Sequence, residues 1–388
     1  MSTAQQQSYD LAVVGGGVIG LSVAWRASQS GLRTVVLERG GIGAGASGVA
    51  AGMLAPSSEA AFGEQRVLAL NLESARRWPA FAAELAERSG DDPGYRRCGT
   101  LLAARDADAA AALERELAFR ESLGLAVERL LPTRARELEP ALAPSLRAAA
   151  SAPDDHAVDP RRLLVALAAA LRAAGGELRE GAEVAELDTS GGRASGVELA
   201  GGERLVAGAV VIAAGAWVGG LAGVPDGARV PVRPVKGQLL RLRDRAGPGL
   251  LERVLRTEDF YVVPRGDGRY VLGATMEERG FDEAVTAGAV HDLLRDAVEV
   301  VPGITELEVE AARAGLRPAT PDNAPAIGPG EPEGLHWATG HHRHGVLLAP
   351  LTADLVVDGL TGGAVANPDA ELVSPGRFGA AERAEVPA

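Results

Sequence analysis

The chain has 388 residues, 46% hydrophobic and 23% charged, with 39 Lys and Arg against 52 Asp and Glu and a formal net charge of -13. That length suits two intertwined domains rather than one small core, and the arginines are scattered without a basic block, which argues against nucleic acid as a partner. Cys98 is the only cysteine, so no internal disulfide or cysteine-built metal site can form within the chain, and a reducing cytoplasm is the simplest compartment.

The polar start, Met1 to Ser8, lacks the cationic region of a signal peptide. Tyr9–Val14 is apolar and β-branched, Val18–Ser30 has helical spacing, and Thr34–Leu37 is a second apolar strand. Together they predict a βαβ unit on a parallel sheet. Asn71–Arg88 predicts an amphipathic helix with Leu72, Trp78, Phe81 and Leu85 inward. A strand at Gly99–Ala103, a helix at Asp106–Leu123 stopped by Gly124, a strand at Val127–Leu130 and a helical stretch at Pro132–Leu138 follow. Pro160 opens a helix that ends near Ala174 before Gly175 and Gly176.

Glu183–Leu187 with Ala194–Ala200, and Leu205–Ala207 with Ala209–Ala213, predict paired strands. Leu205–Val224 is uncharged and long enough to cross a bilayer. Its glycines at 208, 215, 219, 220 and 223 instead favour a buried strand and a turn. Val232–Arg243, Arg253–Pro264 and Tyr270–Ala274 alternate as antiparallel strands. Thr286–Val301 is helical, Leu307–Leu316 is a strand, Ala338–Gly345 is a glycine- and histidine-rich turn, and Val346–Leu360 is a helix.

The sharpest motif is Gly15-Gly16-Gly17-Val18-Ile19-Gly20, which fits GxGxxG between a strand and a helix. Gly15 permits a tight turn, Gly17 lets a pyrophosphate approach the backbone, and Gly20 lets helix and sheet pack closely. Glu38 ends the second strand, where a carboxylate accepts from both ribose hydroxyls and repels a 2′-phosphate. A glycine-rich packing turn is the bland alternative. The small residues Gly43–Met53 and the run Ala213-Ala214-Gly215-Ala216-Trp217 offer two more places for close backbone approach. His341, His342 and His344 invite a metal reading, but they lack a carboxylate or cysteine partner set, so no metal is expected.

The first βαβ unit, the Ala46–Met53 loop and the Ala213–Trp217 turn resemble the glutathione-reductase-type FAD fold of the D-amino-acid oxidase superfamily. The segments Tyr261–Arg265, Gly273–Met276, Gly315–Pro318 and Thr339–Gly345 extend the resemblance, most closely to the glycine oxidase family associated with thiamine biosynthesis, over Tyr9 to about Gly363. The resemblance implies an α/β (α+β) chain in which an FAD-binding domain (residues 9–93, 153–231 and 320–366) is interleaved with an antiparallel-sheet substrate domain (94–152 and 232–319), with flexible tails at 1–8 and 367–388.

It further implies non-covalent FAD held by Gly15, Gly17, Val18, Ile19, Gly20, Glu38, Arg39, Ala46, Ser47, Ala51, Gly52, Met53, Val184, Ala214, Gly215, Trp217, His342, Arg343, His344, Gly345 and Val346. Cys98 lies outside the stretch where relatives attach flavin through cysteine. The implied substrate is a small amino acid, with oxygen as co-substrate. Arg317 offers a planar two-pronged donor matched to a carboxylate, and Tyr261 offers a hydroxyl to the same group. Arg343 either lies near the substrate and flavin edge or forms a loop ion pair. Met276 lines the pocket, or merely packs, where some relatives carry a lysine. A homo-oligomer, a homotetramer in that family, is implied too. An oxidase, a dehydrogenase using another acceptor, and an FAD-containing binding protein all remain open at this point.

Overall fold

The structure, a computed structural model, describes residues 8–363, 365–379 and 382. It is built on two large mixed sheets and one small sheet. In the first, the strand Ser8–Val14 lies between Thr34–Glu38 and Arg204–Ile212, parallel to both. Leu11 and Val13 enter one apolar core while Tyr9, Ala12 and Val14 enter another, so the strand is buried on both faces. Glu177–Glu180 extends the sheet beside Thr34–Glu38. Gly196–Leu199 and Val184–Asp188 extend it antiparallel on the other side. Leu335–Thr339 pairs parallel with the end of Arg204–Ile212 and carries Ala326–Pro329 on its edge.

Four helices cover one face: Val18–Gln29, Gln65–Ser89, Pro160–Ala173 and Gly345–Thr361. Their shared core holds Trp25, Trp78, Phe81 and Leu85. Proline at the first helical position and the Asp159 carboxylate, accepting from the Arg161 amide at 3.0 Å, fix the start of the third.

The second sheet is ordered Glu308–Ala319, Arg233–Arg243, Arg269–Gly273, Tyr261–Pro264, Val254–Arg256, Thr100–Ala104, Ala148–Ala152, Glu128–Leu130. Its two longest strands pair antiparallel, with Val235 opposite Arg317 and Gly237 opposite Gly315. The helix Ala287–Val300, capped by the Thr286 hydroxyl, packs on one face with Leu240, Leu255 and Val262. The small sheet joins Met53–Leu54, Tyr95–Arg96 and His156–Val158.

Several expectations change. Leu205–Ala207 and Ala209–Ala213 are not a pair but one continuous strand, because its first half pairs with Gly196–Leu199 and its second with Leu335–Thr339. Arg253–Pro264 is not one strand but a hairpin, closed where the Phe260 amide donates to the Thr257 hydroxyl at 3.0 Å. The helix expected from Asn71 begins at Gln65, and Leu72 is half-buried rather than core. Leu307–Leu316 runs on to Ala319, which places Arg317 within a strand.

Residues 367–379, expected as part of a flexible tail, are packed: Arg66 grips Asp369 at 2.6 Å, Arg377 grips Asp322 at 2.8 Å, and Phe378 is buried. Ser8, placed in the first expected tail, opens a strand, and residues 1–7, 380, 381 and 383–388 of the expected tails lie outside the described residues. No helix among the described residues is long and apolar enough to cross a membrane.

Candidate active site

Val14 ends the central strand and Gly15 turns the chain with φ +112°. A Cβ on Gly15 would stand 2.5 Å from the Ala213 carbonyl oxygen, and one on Gly20 would stand 2.0 Å from the Gly15 carbonyl oxygen. Gly20 therefore serves helix packing and does not reach the cavity wall, whereas Gly15, Gly17, Val18 and Ile19 do. The helix that starts at Val18 has Gly17 as its N-cap, no capping side chain and no acid in its first turn. Its positive end is open to an anion. Ser47 sits at this end, where its hydroxyl accepts from the Val18 amide at 3.0 Å.

The Glu38 carboxylate accepts from the Gly16 amide at 2.7 Å and the Gly40 amide at 2.8 Å. A carboxylate has about four acceptor positions, so capacity remains for sugar hydroxyls. Arg39 lies over the Trp217 ring with its guanidinium 4.3 Å from the centroid, as a lateral wall.

From this turn a cavity of about 910 Å³ reaches the second sheet. Ala46, Ser47, Ala51, Gly52, Met53, Val184, Ala214, Gly215, Trp217, Gly345 and Val346 line it with the residues above. Gly52 has φ +76°, and a Cβ there would meet the Val158 carbonyl oxygen at 2.1 Å. A helix start with no acid in its first turn, a carboxylate at the strand end and walls of small residues fit FAD.

At the other end stand Arg317 and Tyr261. Arg317 Nη1 donates to the Thr275 carbonyl at 3.1 Å and to that of Lys236 at 3.4 Å. The guanidinium lies where a Cβ of Gly237 would otherwise be, 2.4 Å from Nη2. Tyr261 lies over Gly273, whose added Cβ would be 2.8 Å from the phenol oxygen. Burial pushes the Tyr261 phenol up, against the opposing pull of Arg317, so it keeps its proton as a donor. A bidentate cation and a neutral hydroxyl meeting in one pocket can grip a carboxylate.

Arg343 lines the cavity, but its guanidinium is engaged with Glu64 in an ion pair, Nη1 to Oε1 at 3.2 Å. The loop ion pair is thus the observed state. Met276 lies at the rim, 64% exposed, so it is neither core nor deep pocket wall. His342 lines the cavity with a left-handed φ of 47°, uncommon outside glycine. His344, expected at the cofactor, is buried behind the wall instead, 3.9 Å from Glu59. Burial pushes His341 and His342 down to about 3, with Arg343, Arg317 and Arg233 adding to the effect at His342. Both are neutral at physiological pH, and His341 shares a 2.9 Å hydrogen bond with Thr352. No group of three metal-ligating side chains is assembled among the described residues.

Sequence reasoning missed Glu59, Ala60, Ala61, Phe62 and Glu64 and the pair Arg120 and Arg256, all on the cavity wall. Arg256 could have been found from its position opposite Tyr261 in the hairpin. Arg120 gave no signal, being one more arginine on a helix of mixed charge.

A glycine-rich strand-to-helix turn opening onto a cavity lined by Arg317 and Tyr261 fits an FAD-binding amine oxidoreductase. Residues 10–359 match the family described as FAD dependent oxidoreductase, and the chain belongs to it. The glycine oxidase of Geobacillus kaustophilus is 39% identical over 354 residues, covering 90% of this chain and 92% of that protein. A crystal structure of glycine oxidase from Geobacillus kaustophilus superposes with a TM-score of 0.89 at 36% identity, covering 96% of this chain and 99% of that one. The bifunctional protein ThiO/ThiG of Trichormus variabilis is 34% identical over 351 residues, 90% of this chain but 52% of that protein. The enzyme is an FAD-dependent amine oxidoreductase.

Proposed function

We propose that the enzyme oxidises glycine and comparably small amino acids, sarcosine and D-alanine among them, with oxygen as the final acceptor. For glycine the balanced reaction consumes oxygen and water and releases glyoxylate, ammonia and hydrogen peroxide. The observation that carries this reading is the meeting of Arg317 and Tyr261 at the far end of the dinucleotide cavity. FAD, once bound, supplies the two-electron acceptor.

The chain's own residues supply position. Gly15, Gly17, Val18, Ile19, Glu38, Ala46, Ser47 and the Val49–Met53 stretch are the proposed cofactor cradle. Arg317 would take the substrate carboxylate in two-pronged fashion while Tyr261 donates its phenol to the same group. Such a grip fixes which face of the α-carbon is presented and converts binding energy into alignment. The neutral His342 beside Arg317 adds no charge to the reacting amine. The likeness to glycine oxidases and to a ThiO/ThiG protein supports a role beside thiazole synthesis. The single half-buried Cys98 favours a reducing cytoplasm, and a homo-oligomer is the proposed assembly.

Anaerobic mixing with glycine, sarcosine, D-alanine and D-proline, read as loss of the oxidised flavin absorbance, tests the reading. Glycine or sarcosine should bleach the flavin, and admitting oxygen should restore the colour rapidly. If none of the four bleaches it, amino-acid oxidation is wrong. Slow return in oxygen with fast turnover on a quinone would make the enzyme a dehydrogenase.

A further inference from the structure

The strand that ends at Gly273 keeps its hold on Arg233–Arg243 for a few residues more. Gly273 pairs with Leu239, and Glu277 next bridges Lys236, the two exchanging amide-to-carbonyl bonds at 2.8 and 3.0 Å. Between those pairs Gly237 and Gln238 face Ala274, Thr275 and Met276, so the second side carries an extra residue and bulges. The bulge leaves the Thr275 carbonyl outside the ladder, where it accepts from Arg317 Nη1 at 3.1 Å. The guanidinium itself lies against Gly237, on the other side of the bulge.

A small polar network holds the bulge in shape. The Gln238 backbone amide donates to the Thr275 hydroxyl at 3.0 Å, and that hydroxyl donates to Glu277 Oε1 at 2.6 Å. Nε2 of Gln238, a residue 1% exposed, donates to the same carboxylate oxygen at 2.7 Å. The Gln238 Oε1 accepts from the Thr286 amide at 2.7 Å, where the next helix is capped. The Thr275 hydroxyl, aided by the Gln238 side chain, holds the Glu277 carboxyl below the usual range against the opposing effect of burial. An ionised carboxylate only accepts, so the Thr275 hydroxyl gives its proton to Glu277 and turns a lone pair to the Gln238 amide. That fixes the threonine side chain and, through it, the direction of the adjoining carbonyl. Thr275, Gln238 and Glu277 stand behind the cavity wall rather than on it.

We propose that Glu277 is a positioning residue for the Arg317 grip: with Gln238 it fixes the bulge whose Thr275 carbonyl aims the guanidinium at the substrate carboxylate. Glu277 touches neither substrate nor flavin and acts only through Thr275. This inference rests on the amine-oxidase reading above.

The test uses the FAD-loaded enzyme and methoxyacetate, in which an ether oxygen replaces the nitrogen of sarcosine and blocks oxidation. Its dissociation constant is read from the perturbed flavin spectrum beside KM for glycine. Glu277→Met removes the acceptor and should weaken methoxyacetate about tenfold or more, with KM rising in parallel. Glu277→Gln keeps an oxygen for both donors and should return the affinity to near the parental value. Reoxidation of the reduced flavin by oxygen needs no carboxylate grip and should be parental in both. Should Glu277→Met lose its flavin, Thr275→Val, which removes the hydroxyl and leaves the carbonyl, should show the same loss, with Thr275→Ser as its rescue. Parental affinity and KM in Glu277→Met or in Thr275→Val, or an equal loss in the conservative partner of either, overturns the inference. If glycine bleaches the parental flavin while the variants bind methoxyacetate as the parent does, only this inference fails. If glycine does not bleach it and methoxyacetate leaves its spectrum unmoved, the oxidase reading fails and takes the positioning role with it.

Discussion

Replacing Gly237 with alanine should disable Arg317 without touching it. Gly237 lies in ordinary strand backbone opposite Gly315, so alanine is conformationally allowed there. The obstacle is space. A Cβ would stand 2.4 Å from Nη2, 2.5 Å from Nη1 and 2.6 Å from Cζ of Arg317. Normal contact is about 3.5–4.0 Å, so the guanidinium must retreat by roughly 1 Å. The retreat strains its bonds to the Thr275 and Lys236 carbonyls and moves it from Tyr261. A misplacement of about 1 Å costs on the order of 100-fold, and a weakened charged hydrogen bond costs about 1.5–3 kcal/mol. Gly237→Ala should therefore lower kcat/KM for glycine by roughly 10- to 100-fold and weaken methoxyacetate binding in parallel. Flavin content and Tm should change little, since only the end of a flexible side chain gives way. Steady-state peroxide production, titration of flavin absorbance and a thermal melt report the three quantities. A variant with parental kcat/KM and parental methoxyacetate affinity would refute the placement of Arg317 as the carboxylate grip.

Gly15→Ala forces a left-handed backbone and a 2.5 Å clash with the Ala213 carbonyl, so it should cost about 1–3 kcal/mol of stability and release flavin. A parental Tm with full flavin content contradicts this. Glu38→Gln leaves the Gly16 or Gly40 amide facing an NH2 group, which should weaken FAD binding roughly 10-fold or more with the far-ultraviolet circular dichroism unchanged. Unaltered FAD affinity would remove Glu38 from the cradle. Burial raises Asp155 from 3.8 to about 6 in the folded protein, although it accepts from the Ser57 and Ser58 amides at 3.0 and 2.6 Å. A raised acid contributes stability that is complete below its unfolded value and lost as pH rises through the folded one. Relative to Asp155→Asn, the parent should thus lose on the order of 3 kcal/mol between pH 4 and pH 6 and nothing more above it. Denaturant midpoints for the two proteins across that range check the sign, and parallel curves would disprove it.

The cradle was legible in the sequence because its chemistry is local. A strand, GxGxxG, a helix and Glu38 fall within one short stretch, and each residue type has a backbone reason to be there. Arg317 and Tyr261 were legible through the resemblance, since nothing in their own spacing says that they meet. The strand Ala148–Ala152 was not legible, because alanine favours helix and this segment is a strand only by pairing with Thr100–Ala104 and Glu128–Leu130. Leu335–Thr339 was missed for a similar reason, its first residues passed over and its end taken into a turn. The ion pair between Arg343 and Glu64 joins residues 279 positions apart, beyond any pattern in the sequence. His344 was drawn to the cofactor by its neighbours, yet the turn that brings His342 to the wall points the next but one residue inward.

The position of Ser8–Val14 in its sheet bears on folding. Ser8–Val14 becomes an interior strand whose flank, Arg204–Ile212, lies roughly two hundred residues further along the chain, and that flank itself waits for Leu335–Thr339. Contacts so distant along the chain close slowly. Until these late strands dock, the phosphate-binding turn has no far wall, so flavin capture is coupled to the closing of contacts far apart along the chain.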